Sequence, residues 1–69
     1  MIIKLSQHAE EMMIYREISM KEIEDAIKQG VKYFQEPGKI VSDYQYFSVV
    51  YKKIKEAYYV ITVKPRWRI

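Results

Sequence analysis

The spacing of apolar residues changes period once along this chain, at Gly30, and that change limits the fold more than any other feature. Before Gly30, apolar residues recur at the three- and four-residue intervals of a helix; after it they alternate or run in short blocks, as in strands. Helices at one end of a sequence and strands at the other predict an α+β domain, its helices gathered on one face of the sheet. With 69 residues there is room for a single domain, 1–69, built on one core, and no repeat, linker or low-complexity tract divides it. The chain has no cysteine and one histidine, so neither a disulfide nor a Cys/His zinc site can staple it. No metal or cofactor is expected, and packing must supply the stability, across a subunit interface if one core falls short.

Ser6 is placed to cap a first helix running to about Glu17, with Leu5, Ala9, Met12, Met13 and Arg16 on one face. Met12 and Met13 are expected in the core. The second helix has the stronger start signal. Ser19-Met20-Lys21-Glu22 is a capping box, in which each side chain satisfies the other residue's backbone donor, and Ile18 and Ile23 form the accompanying hydrophobic staple. Its apolar face is Ile23, Ala26 and Ile27, its outer face Lys21, Glu24, Asp25 and Lys28, and Gly30 is expected to end it in the left-handed conformation. The two helices should form a hairpin bending at Glu17 and Ile18.

Val31 to Gln35 reads as a strand, followed by Glu36-Pro37-Gly38-Lys39, whose Pro and Gly suit the second and third places of a type II turn. The next segment, Lys39 to Ile54, is too long for one ordinary strand and should break near Tyr44-Gln45-Tyr46, giving a second hairpin. Lys53 to Glu56 is a turn without glycine, and Ala57 to Lys64 the last strand, stopped by Pro65. Strict alternation would put Tyr59, Ile61 and Val63 on one face and Tyr58, Val60, Thr62 and Lys64 on the other. The expected architecture is a helical hairpin packed on a small antiparallel sheet of three to four strands, with Met1 to Lys4 as an optional edge strand.

Charge is unevenly spread. Residues 1–38 carry five Lys/Arg against seven Asp/Glu, and residues 39–69 carry seven against two. A basic second half suits a polyanion or an acidic protein, though a solvated basic surface would look the same. The longest apolar run, Ala57 to Ile61, is far too short to span a bilayer or to form a signal-peptide core, so a cytoplasmic protein without membrane contact is expected.

The run Ser6-x-His8-Ala9-x-x-Met12-Met13-x-x-Arg16-x-Ile18, continued by Ile23, Ala26-Ile27 and Gly30 and closed by Val60-Ile61-Thr62-Val63-x-Pro65, resembles the domain-of-unknown-function 4258 family. That family is similar in fold to the RelE/ParE-like toxins, including the BrnT type. The resemblance implies two helices on a small antiparallel sheet and a superfamily whose active members cut messenger RNA without a metal. Met12 stands where the family pattern usually has arginine, and Glu17 where it usually has glycine.

Metal-free RNA cleavage needs a proton acceptor for the 2′-hydroxyl, a cation for the charged phosphorane and an acid for the leaving oxygen. His8, which exchanges protons near neutral pH, and Arg16, a phosphate-binding cation, are the candidate catalytic residues, about 12 Å apart along one helix. Structural alternatives are a backbone-bonded first-turn histidine and an arginine lying over aromatic rings or paired with Glu17 or Glu22. Tyr44, Tyr46 and Tyr58 beside Lys53, with the tail residues Lys64, Arg66, Trp67 and Arg68, form the candidate RNA-binding set, since rings stack bases and cations hold phosphates. About half of the tyrosine rings are expected to serve packing instead. Candidate partners are RNA, an acidic antitoxin protein and a second copy in a homodimer. The leading expectation is a RelE/ParE-like toxin-type domain of a toxin–antitoxin pair, a metal-independent mRNA endoribonuclease if active. The alternative is a non-catalytic protein- or RNA-binding module using the same tyrosine-rich face and basic tail.

Overall fold

Ser6 joins the helical and sheet layers of this protein. In the computed structural model, which describes residues 1–66, its backbone N–H donates to the Val60 carbonyl at 3.0 Å and its hydroxyl to the Ile61 carbonyl at 2.7 Å. The same oxygen accepts from the Ala9 amide at 2.9 Å and so caps the first helix. Around this junction the elements run β1 (Ile2–Leu5), α1 (Gln7–Arg16), α2 (Met20–Gln29), β2 (Val31–Gln35), β3 (Lys39–Tyr44), β4 (Phe47–Ile54) and β5 (Ala57–Pro65).

The sheet has five strands in the order β1-β5-β4-β3-β2, and it is mixed: β1 lies parallel to β5 while all other neighbours are antiparallel. This corrects the expected antiparallel sheet of three to four strands. A strand comes first in the chain, and its partner is the last strand, reached only after both helices and three hairpin-linked strands. The two helices follow one another with the bend at Glu17–Ser19, but a strand precedes them; α1 packs mainly on β5 and β1 and α2 on β3 and β4.

Both caps form as the sequence indicates, including the reciprocal box between Ser19 and Glu22, with contacts of 3.1 and 2.9 Å. Ala9, Met13, Ile18, Ile23, Ala26 and Ile27 are buried against Phe47, Val49, Tyr51, Val60 and Val63, and Met12 packs on this core from its margin. Burial pushes the Tyr51 phenol above its ordinary pKa, with the neighbouring Tyr58 adding to the shift. At the surface, the Asp25 carboxylate 3.1 Å from Lys21 raises the Lys21 ammonium.

Gly30 ends α2 in an extended conformation, φ −70° and ψ 163°, and not in the expected left-handed one. Its lack of a side chain answers a steric need: a Cβ there would stand 2.8 Å from the Asp43 carbonyl and closer still to the Ala26 carbonyl and the Ser42 hydroxyl. The left-handed cap is at Glu17, φ 57° and ψ 47°, whose N–H reaches back to the Ile14 and Met13 carbonyls. The loop between β2 and β3 has a cis Glu36–Pro37 peptide and Gly38 at φ +66°, the positive φ that the third place of a type II turn requires.

The hairpin between β3 and β4 turns at Gln45 and Tyr46, and the one between β4 and β5 at Lys55 and Glu56, each opening on a residue with positive φ. A bulge in the β4–β5 ladder moves the pairing from Val50↔Thr62 to Tyr51↔Val60 and leaves Ile61 unpaired. Cross-strand partners share a face, so Tyr58, Val60 and Val63 all lie on the helix side, and Tyr59, Thr62 and Lys64 on the opposite side, where Val41, Val50 and Ser48 are also buried. This corrects the strict alternation, which the extra residue of the bulge breaks.

Candidate nucleic-acid interface

Three chain segments end at the same corner of the molecule. α1 finishes at Arg16, the β3–β4 hairpin turns at Gln45 and Tyr46, and β5 runs out at Pro65 and Arg66. Tyr15, Arg16, Tyr46, Phe47 and Pro65 line a cleft of about 480 Å³ there. The Tyr46 ring meets the buried Phe47 edge to face at 5.4 Å, and Tyr44 meets Phe47 from another side at 6.0 Å. Phe47 thus fixes the aromatic wall, while Tyr15 and Tyr46 remain 77% and 58% exposed and available to a base.

Arg16 lies over the Tyr15 ring, 5.7 Å from its centroid. It pairs with neither Glu17 nor Glu22, and its Nε is buried with no hydrogen-bond partner among the described residues. Its positive charge is therefore balanced by no carboxylate there, and it sits in the wall of a cleft. Arg66 is held more firmly. Its backbone N–H donates to the Tyr46 carbonyl at 3.1 Å, its Nη1 to the Gln45 carbonyl at 3.3 Å, and its Nε stands 3.8 Å from Asp43 Oδ2.

A second concavity of about 210 Å³ adjoins the first across Pro65 and is lined by Tyr33, Asp43, Ser48, Lys64 and Arg66. Here the Ser48 hydroxyl donates to Asp43 Oδ1, and Lys64 lies opposite Ser48 in the ladder. The two concavities meet only at Pro65 and open on opposite faces of the sheet, Arg16 with Phe47 on the helix side and Lys64 and Arg66 with Asp43 on the other. Such a surface can hold phosphate oxygens and stack bases; the described residues contain no group of three or more His, Cys, Asp or Glu placed to bind a metal ion.

Of the residues chosen from sequence, Arg16 and Tyr46 share the cleft on the helix side, with Tyr44 packed behind it, while Lys64 and Arg66 lie at the same end of the sheet on its other face. His8 does not join them. It is exposed near the start of α1, about 12 Å along the helix axis from Arg16. Lys53 and Tyr58 pair at the opposite end of the sheet, the ammonium 5.3 Å from the ring centroid. Tyr46 and Lys53 are seven residue steps apart, roughly 23 Å along β4. Trp67 and Arg68 lie outside the described residues. Tyr15, Tyr33, Asp43 and Ser48 were not singled out from sequence. Only Asp43 and Ser48 had a usable signal, being partners across the Gln45–Tyr46 turn once its position is fixed.

Residues 5–64 match the family described as Domain of unknown function (DUF4258), and the chain belongs to that family. Comparisons with curated proteins and with solved structures gave no match. No helix among the described residues is long and apolar enough to cross a membrane.

Proposed function

We propose that this protein is an RNA-directed domain of the RelE/ParE-like toxin kind, working in the cytoplasm and gripping single-stranded RNA at the corner formed by α1, the β3–β4 turn and the end of β5. The pairing of Arg16 with the exposed Tyr46 ring in one cleft carries this reading, and Arg66, bonded to the Gln45 and Tyr46 carbonyls, adds a second guanidinium on the other side of the same turn. Guanidinium forks suit phosphate oxygens, and a ring anchored at its edge offers a face to a base of any identity. An acidic antitoxin protein would cover the same cations.

Cleavage is the further step of this reading. The RNA 2′-oxygen attacks the adjacent phosphorus and the 5′-oxygen leaves, giving a 2′,3′-cyclic phosphate and a 5′-hydroxyl. One proton is taken from the nucleophile and one given to the leaving group. A strand held at Arg16 and following α1 passes His8 about 12 Å further on, within reach of a neighbouring phosphodiester. The position of His8 outside the cleft favours, as a second reading, a module that holds RNA without cutting it.

Anisotropy of a labelled mixed-sequence single-stranded RNA at low salt tests the binding, with Arg16→Ala and Arg66→Ala each expected to weaken it at least tenfold. Unchanged binding in both variants would remove the corner from RNA recognition. Incubation of the same RNA in chelator with mapping of product ends, beside His8→Ala, separates cutting from holding. Ends lost in the variant assign the proton transfer to His8, and intact RNA leaves the holding module.

A further inference from the structure

Strand β2 forms one edge of the sheet, and all five of its residues are exposed. Its outer backbone has no strand partner among the described residues, and neither helix covers it, since α2 packs on β3 and β4. Phe34 is 85% exposed, Val31 66% and Tyr33 48%, and a small apolar notch lies between Phe34 and Ile40. Edge strands are usually guarded by charge, a bulge or a covering element. Here the only charge within the strand, Lys32, donates to the carbonyl of Gly30 at 3.1 Å and so leans along the edge toward the start of the strand.

We propose that β2 pairs with β2 of a second copy of this chain, antiparallel and centred on Tyr33, joining two sheets into one of ten strands. The sequence of the edge complements itself in this register. Val31 falls opposite Gln35, Lys32 opposite Phe34 and Tyr33 opposite Tyr33, so no like charges meet. Glu36 falls opposite Gly30, where the Lys32 ammonium of the other copy already rests. Two symmetric Lys32–Glu36 ion pairs therefore flank the ladder, one at each end. The two-fold axis of antiparallel edge pairing stands perpendicular to the sheet, so both helix layers lie on one side and both open faces on the other. The two Phe34 rings then lie on the helix side, in the gap that neither copy's α2 covers, each opposite a lysine stem. This pairing does not rest on the RNA reading, although Tyr33 also lines the smaller concavity beside Lys64 and Arg66.

The absence of cysteine makes a crosslinking test clean. Residues directly opposite across an antiparallel ladder approach within disulfide range. Tyr33→Cys is expected to form a disulfide-linked dimer under mild oxidation, whereas Lys39→Cys, one strand inward, is not. Sedimentation of the unaltered chain across concentration should show a monomer–dimer equilibrium. Lys32→Glu and Glu36→Lys should each weaken it roughly tenfold by placing like charges together at both ends. Mixed in equal amounts, these two variants should form a heterodimer, because each supplies the charge that the other lacks. A chain that stays monomeric throughout the concentration range overturns the proposal. Equal crosslinking at both cysteine positions, or failure of the mixed variants to associate, overturns it as well.

Discussion

Glu17 carries the chain out of α1 at φ 57° and ψ 47°, a conformation that costs an L residue about 1–2 kcal/mol because its Cβ crowds the following carbonyl. Its side chain is exposed, so glycine there would relieve the crowding at the cost of extra freedom in the unfolded chain. Glu17→Gly is expected to stabilise the protein by about 0.5–1 kcal/mol, read as a higher urea midpoint at unchanged slope; a lower midpoint would show that the glutamate makes a compensating contact. At Gly30 the direction is reversed. A Cβ would press on two backbone carbonyls and a buried hydroxyl that itself bonds the Ala26 carbonyl, so Gly30→Ala should lose about 2–3 kcal/mol. Adding Ser42→Ala should not restore the loss, because the two carbonyls remain in the way. Full recovery in the double variant would mean that the hydroxyl alone set the constraint. Glycine's usual role as a helix-ending residue pointed to Gly30 for the left-handed cap, but that conformation belongs to Glu17, marked only by the glycine usual at that place in the family pattern.

Elements show which physical signals reach the sequence and which do not. Both helices were legible because capping depends on residues three apart: Ser6 with Ala9, and Ser19 with Glu22. The two caps differ in what else they hold. Ser19 and Glu22 close an exposed box, whereas the Ser6 hydroxyl also donates to Ile61 and ties α1 to β5. Ser19→Ala should therefore cost about 1 kcal/mol and Ser6→Ala about 2, since the latter loses a cap and a part-buried bond to the sheet. Comparing the two by chemical denaturation checks the order, and equal losses would reduce Ser6 to a cap alone. Strand β1 was hard to read because four residues show little periodicity and its partner, β5, begins 55 positions later, at Ala57 opposite Ile2. The bulge between Val50 and Tyr51 left no composition signal, yet it decides which tyrosines face the helices. The candidate site was legible to the same extent. Arg16, Tyr46 and Arg66 were visible as residue types, but their placement at one end of the sheet depends on strand register, as does the separation of Lys53 and Tyr58 from them.

For the whole molecule, the basic excess of residues 39–69 is divided between the two ends of the sheet. Lys52, Lys53 and Lys55 lie toward the β4–β5 turn, while Lys64 and Arg66 lie at the opposite end, across the sheet from Arg16. A salt titration can tell which end meets RNA. Binding to a single strand weakens with log salt at a slope of about −0.7 for each phosphate neutralised, so three cations at the corner predict a slope of about −2. Arg16→Ala should flatten it by about 0.7, because that charge is balanced by no carboxylate among the described residues. Arg66→Ala should flatten it less, since Asp43, 3.8 Å from its Nε, already offsets part of its charge. Lys53→Ala, roughly 23 Å away along β4, should leave the slope unchanged. If Lys53→Ala flattens the slope and Arg16→Ala does not, the RNA lies along the β4–β5 turn instead, and the aromatic corner serves packing or another partner.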